Sequence, residues 1–424
     1  MNVPNSRNQI PEGVRDQLPR EAAQMRRLAD RLGDVFGTWG YREVVTPGLE
    51  YLETVTAGAG SQGRREDLYQ LFDRKGRTLA LRPDMTTPIA RVAATKMAGE
   101  PLPLRLSYFA PVYRHRALKA GSVSEIWQAG IELIGAAGAA ADGEVVALAC
   151  GALAASGLEG FKLGLGHVDF VEGIFAEAGV APATEEALKE ALVARDLVAF
   201  EKGVREAGLP REKAELLVAM ASFQGSYEQA VARFGGLGAE AGVGRVARAL
   251  RELGIILQLL EELGVGGQVS LDLGLTRSLG YYTGVVFEGY APGVGSPVLG
   301  GGRYDNLLAD FGGRLPATGF ALELDRLLIA LERQGRLPGA PGLDAVVECP
   351  PDRVGEAMAA ARELRARGLT VEVDLLGRTG ADLVNYARAK GAQVVSLTEG
   401  SGGEAGEVLE ARRRLRASAV TPIH

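Results

Sequence analysis

The sequence predicts an α+β fold: an antiparallel sheet with helices, a helical insertion, and a small C-terminal α/β domain. Three observations carry this. Between residues 271 and 328, β-rich runs laced with glycine follow one another, beginning with 271–276, where leucines alternate with small or polar residues at the period of a half-buried strand. From about 170 to 264 apolar residues recur at helical spacing, with breaks at Pro182, Pro210 and Gly235-Gly236. Beyond a Gly- and Pro-rich linker, three short β-rich runs alternate with two helical ones, the pattern of a small three-layer unit. The expected division is therefore 1–169 for the first part of the core, 170–264 for the insertion and 265–333 for the second part of the core. The linker takes 334–342 and the C-terminal domain 343–424.

Each element follows in order. An entry segment at 10–19 precedes a helix reaching about Gly37, with Met25, Leu28, Leu32 and Phe36 on one face. Residues 40–50 read as a strand ended at Pro47. Two strands, 67–73 and 78–83, flank the polar turn Arg74-Lys75-Gly76-Arg77. Asp84-Met85-Thr86 then opens a helix, with Asp84 suited to be its N-cap. In Trp127-Gln128-Ala129-Gly130-Ile131-Glu132 the even spacing puts Gln128 and Glu132 on one face of a strand. A helix rich in alanine and leucine is expected at 144–156, and a strand at 161–168, whose His167 reads as a structural residue. The charges of the insertion read as solvated faces. After 271–276, Arg277-Ser278-Leu279-Gly280 breaks the pattern, and 281–288 resumes it. Gly300 to Asp305 and Thr318 to Leu328 follow. Glycines inside such strands let a backbone or ligand approach closely, and arginines beside them are able to hold a carboxylate or phosphate bidentately. By residues alone, a glycine-rich sheet with structural arginines stands as the alternative. In the last domain, strands are expected at 344–349, 370–375 and 393–397, helices at 353–367 and 380–390, and an arginine-rich helix past 400.

Composition narrows the function classes. A chain of 424 residues with 46% hydrophobic content is ample for two or three packed domains. A net charge of −6 gives no overall basic field to advertise nucleic acid. Cys150 and Cys349 lie far apart and the chain has three histidines, so neither a disulfide framework nor a metal site is expected, and no cofactor is expected either. No apolar run suits a leader or a bilayer span, which sets the expectation of a soluble, cytoplasmic protein without membrane contact.

Several words of the chain resemble a known family. The run from Arg277 to Glu288 is similar to the R-G-L-D-Y-Y-T-G-x-V-F-E of histidyl-type class II aminoacyl-tRNA synthetases, Gly301-Gly302-Arg303-Tyr304-Asp305 to their G-G-R-Y-D, and 319–326 to their third motif. The resemblance covers nearly the whole chain. It implies a class II aminoacyl-tRNA synthetase-like catalytic fold, a dimer interface around Pro47 and a C-terminal domain like the anticodon-binding one. It also implies a histidine pocket of Asp84, Thr86, Gln128, Glu132, Arg277, Tyr281 and Tyr282, with Arg114, Arg116 and Arg326 as remnant ATP-site positions.

The departures matter as much. Arg116 stands where the second motif has Glu, Ser122 and Ser124 replace loop arginines, and Ile126 replaces the ring that stacks on adenine. Glu323 occupies a glycine position facing the nucleotide, Asp325 replaces Glu, and Gly280 replaces an aspartate that supports the pocket. Losing a single donor to the transition-state charge typically costs about 10²–10³ in rate, so several losses argue against adenylation. Thr379 to Asn385 also lacks the basic S-L-K-K-Q cluster, which removes phosphate attraction where tRNA would lie. With its L-R-P-D-M-T at 81–86, the chain resembles a paralogous branch, the regulatory subunits of ATP phosphoribosyltransferase in histidine biosynthesis. That branch implies a non-catalytic homodimer within a hetero-oligomer, a short-form ATP phosphoribosyltransferase catalytic subunit as partner, histidine as effector, and no tRNA binding. The alternatives are a histidine–tRNA ligase with a divergent ATP site and a stand-alone histidine sensor.

Overall fold

The computed structural model describes residues 8–57, 65–115, 123–237, 244–276, 281–339 and 342–397. The chain divides into two compact units, Met1–Gln17 with Met25–Pro338 and Leu18–Gln24 with Gly339–His424.

Helix α1 (Pro19–Thr38) buries Met25, Leu28, Leu32 and Phe36, the face that its spacing prescribes. Next come β1 (Arg42–Glu43), β2 (Leu49–Tyr51), α2 (Leu52–Thr56), β3 (Gln70–Phe72), β4 (Thr78–Leu81) and α3 (Thr86–Thr95). Strands β5 (Leu104–Tyr113) and β6 (Glu125–Ile134), helix α4 (Ala139–Ala155) and strand β7 (Lys162–His167) lead into the insertion. That segment holds α5 (Val168–Ala178), α6 (Pro182–Val193), α7 (Leu197–Glu206), α8 (Arg211–Ala221), β8 (Gln224–Gly225), α9 (Tyr227–Phe234) and α10 (Arg245–Glu262). The larger unit closes with β9 (Val269–Asp272), β10 (Val285–Tyr290), β11 (Leu299–Arg303), β12 (Ala317–Glu323) and α11 (Leu324–Arg333).

Nine of these strands form one sheet in the order β1-β5-β6-β12-β11-β10-β7-β9-β8. Its described pairs are antiparallel except β1 with β5 and β7 with β9. The sheet separates two cores. Along β6, Ala129, Ile131 and Leu133 pack with α1, α4 and the insertion, whereas Ile126 and Ile134 pack with Met85 and Ile89 beside α3. Gln128 and Glu132 share the second face, because side chains alternate across a strand.

Three local expectations change. The strand expected at 271–276 leaves the ladder after Asp272, although Leu271, Leu273 and Leu275 are all buried. Gly274 instead lies against the backbone at the end of α8, where a Cβ would sit 2.5 Å from the Ala221 carbonyl oxygen. Helix α4 begins five residues before the expected Glu144, since the alanines after Gly138 are strong helix formers. The insertion is not purely helical, nor are all its charges solvated. Residues of β8 pair with β9, and Arg195 reaches Asp272 (2.9 Å) and Glu288 (3.4 Å) on the main sheet. His167 has a structural role: Nδ1 accepts from the Asp169 N–H at the start of α5, and Nε2 lies 3.1 Å from Glu252.

The smaller unit contains β13 (Ala345–Val347), α12 (Val354–Ala366), β14 (Val371–Val373), α13 (Gly380–Ala389) and β15 (Gln393–Val395), with the parallel strand order β14-β13-β15. Ala345 and Val347 pack against Ala357, Ala361 and Leu364 of α12, and Val346 packs against Leu383 and Ala387 of α13. Period-2 alternation on one buried strand thus produces the three layers. The arginine-rich helix expected past 400 lies outside the described residues.

Candidate functional site

The site grows from the two polar positions of β6. Gln128 and Glu132 are 3% and 1% exposed, on the face toward α3. Glu132 stands opposite Gly319 of β12, where any Cβ would collide with its carboxylate, so only glycine leaves room for the acid. Thr86, the first residue of α3, donates to Glu132 Oε1 at 2.7 Å, and the Tyr304 hydroxyl donates to Oε2. Met85 rather than the expected Asp84 holds the N-cap position of α3, but Asp84, one residue further out, still accepts from the Thr87 N–H at 2.8 Å (Oδ1) and also lines the cleft. The Tyr281 ring stands 5.0 Å from that of Tyr282 and 5.6 Å from that of Tyr304. Together with Tyr108 these groups line a narrow cleft with an inner volume of about 60 Å³.

Burial sets the electrostatics of the closed end. It pushes the Glu132 carboxyl up to about 8, although hydrogen bonds from Tyr304 and Thr86 pull the other way. Asp84 is raised for the same reason, with the Thr87 N–H and nearby Arg114 opposing. The phenols of Tyr108, Tyr281 and Tyr304 are held well above their ordinary value by burial, so they stay neutral donors. A ligand carrying N–H groups would therefore meet acceptors and hydroxyls in an enclosed, weakly screened space.

The mouth carries charges of both signs, paired with one another. Arg114, just past β5, donates from Nε to the Pro83 carbonyl at 2.9 Å, with Nη1 3.8 Å from Glu323. Arg326, in the first turn of α11, donates from Nη1 to the Pro297 carbonyl at 2.9 Å and lies 2.8 Å from Glu323. Asp325 accepts from the Trp127 N–H at 3.0 Å and lies 3.4 Å from Arg15.

Of the residues singled out from sequence, Asp84, Thr86, Gln128, Glu132, Tyr281, Tyr282 and Arg114 meet in this cleft, and Arg326 is joined to it through Glu323. Arg277 and Arg116 lie outside the described residues. Sequence reasoning missed Tyr304 and Tyr108 as lining residues. Tyr304 follows Arg303 in the Gly301-to-Asp305 word, and successive residues face opposite ways. Arg303 therefore turns from the cleft to the buried Asp142, Nε lying 3.1 and 3.0 Å from its two oxygens, while Tyr304 turns to Glu132. Tyr108 pairs across strands with Gly130, which has no Cβ to collide with the phenol. Only the register of β5 with β6 reveals that pairing.

Among the described residues no group of three or more His, Cys, Asp or Glu could hold a metal ion, and no helix is long and apolar enough to cross a membrane.

Fold and cleft define a class II synthetase-like protein of the histidyl type. The histidyl-tRNA synthetase family model matches residues 13–327. A histidyl-tRNA synthetase structure from Nostoc sp. PCC 7120 shares the fold at a TM-score of 0.81, with 20% identity, covering 96% of this chain and 99% of its own. A structure from Bacillus halodurans C, described as an ATP phosphoribosyltransferase regulatory subunit/histidyl-tRNA synthetase, has a TM-score of 0.80 at 34% identity, covering 92% of this chain and 98% of its own. A protein of Symbiobacterium thermophilum named ATP phosphoribosyltransferase regulatory subunit is 67% identical over 392 residues, 92% of this chain and 97% of that protein. One of the same name from Moorella thermoacetica is 44% identical over 400 residues, covering 92% and 98%. The chain belongs to the family of ATP phosphoribosyltransferase regulatory subunits.

Proposed function

We propose that this protein is a non-catalytic subunit that assembles with a short-form ATP phosphoribosyltransferase catalytic subunit in the cytoplasm, supports its activity in histidine biosynthesis, and reports histidine levels to it. The chain works as a homodimer within a hetero-oligomer and does not serve tRNA. Histidine occupies the cleft. Its ring, with one donor and one acceptor nitrogen, meets Glu132 and the surrounding hydroxyls, and its ammonium meets Asp84 and Gln128. The observation that carries this reading is the assembled, buried constellation of Asp84, Thr86, Gln128 and Glu132, in a chain alike over nearly its full length to proteins named as regulatory subunits. Charge-assisted bonds of this kind contribute roughly 1.5–3 kcal/mol each, and ordering costs offset part of the sum. Affinity in the micromolar-to-millimolar range follows, suited to sensing a metabolite.

The test is titration calorimetry of histidine on the full-length protein, alone and in complex with the catalytic subunit. Saturable binding is expected, weakened about tenfold or more by Asp84→Asn or Gln128→Ala, the loss of one such bond. Inhibition of the complex by histidine should shift in parallel. If complexes carrying these substitutions are inhibited at unchanged histidine concentration, the effector acts elsewhere and the assignment of the cleft is wrong.

A further inference from the structure

Two guanidinium groups approach the mouth of the cleft from different elements, Arg114 from the end of β5 and Arg326 from the first turn of α11. Each is fastened independently of the other, by the carbonyls of Pro83 and Pro297. Both point at the same carboxylate. Glu323 presents Oε1 to Arg114 and Oε2 to Arg326, with its side chain 16% exposed. Backbone-anchored arginines converging on one point form the arrangement that receives a multiply charged oxyanion. Here a side chain of the same protein already stands at that point. Charge confirms the fit: the arginines contribute two positive charges, Glu323 one negative charge, and Asp84, when ionised, a second beside Arg114.

We propose that Glu323 is a tethered anion that fills the arginine-lined mouth of the cleft, so that the cleft admits a small zwitterion and turns away phosphate-bearing ligands. Rejection has two sources. The carboxylate already pairs with the guanidinium groups a phosphate would use, 2.8 Å from Arg326 and 3.8 Å from Arg114, and an incoming anion would meet its like charge beside them. A side chain is also present at effectively high local concentration, because its tether is only a few bonds long. This inference concerns the mouth and stands whichever small molecule occupies the closed end. Its failure would therefore leave the histidine reading intact, and failure of the histidine reading would leave it intact in turn.

Pyrophosphate is the probe, titrated calorimetrically into the full-length protein. The unaltered protein should give no saturable heat. Glu323→Gln, which keeps the side chain's shape and removes its charge, should acquire pyrophosphate binding tighter by about tenfold or more, the effect of freeing charge-assisted donors. Adding Arg326→Ala to that variant should abolish the gain, and Glu323→Asp, which keeps the charge, should not show it. Pyrophosphate binding by the unaltered protein comparable to that of Glu323→Gln would overturn the proposal. So would a Glu323→Gln protein that folds normally and gains nothing. Should that variant not fold, arginine modification by phenylglyoxal decides the matter on the unaltered protein by peptide mapping. Pyrophosphate should leave the labelling of Arg114 and Arg326 unchanged, and protection of either by pyrophosphate would refute the idea.

Discussion

Replacing Glu132 with glutamine isolates the consequence of burying one carboxyl group. In the folded protein the group keeps its proton up to about pH 8, against an ordinary value of 4.5, with burial the largest cause. The folded-state value is raised, so the stabilisation linked to the proton is fully present below about 4.5 and is lost as pH climbs through about 8. Between those limits stability should fall by up to roughly 1.4 kcal/mol per pH unit, and by about 5 kcal/mol at the outside. Water entering the open mouth eases the burial and lowers the realistic figure to about 2–3 kcal/mol. Glutamine has nearly the same shape, and its amide can pair with both hydroxyls, since a hydroxyl donates or accepts. The two proteins should therefore agree within about 1 kcal/mol near pH 5. Near pH 9 the variant should be the more stable by about 2–3 kcal/mol. Both tryptophans, Trp39 and Trp127, lie in the larger unit, so urea unfolding followed by tryptophan fluorescence reports on the relevant part of the chain. A difference between the proteins that stays flat from acid to alkaline pH would show that burial is not what holds the proton on Glu132.

Gly319→Ala would push a methyl group into the Glu132 carboxylate and should cost about 1–3 kcal/mol in urea unfolding; an unchanged midpoint would mean that β6 and β12 part readily. Arg303→Met leaves the buried Asp142 without its counter-charge and should cost about 3–5 kcal/mol, most of it recovered on adding Asp142→Leu. The purified protein should show no histidine-dependent exchange of pyrophosphate into ATP; robust exchange at neutral pH would contradict the regulatory reading.

Much of the architecture is legible in one dimension because local periodicity states which face of an element is buried. The stripe of Met25, Leu28, Leu32 and Phe36 predicts α1, and the even spacing of Gln128 and Glu132 places them together on β6. Asp84 before Thr86 announces the start of α3, and the bond it accepts from the Thr87 N–H in the first turn is a local interaction that needs no distant partner. The histidyl-type words likewise carry the fold class without coordinates. What periodicity cannot state is which distant residue stands opposite. That Gly319 makes room for Glu132, that Tyr304 and not Arg303 turns into the cleft, and that Arg195 of the insertion finds Asp272 all depend on strand register and on contacts between segments far apart in sequence. The same holds for the mouth. Glu323 is visible in the sequence as an acid where the family has glycine, but its two arginine partners come from α11 beside it and from the end of β5, some two hundred residues earlier. Only tertiary packing brings those charges together, because Coulomb attraction acts through space and takes no account of separation along the chain.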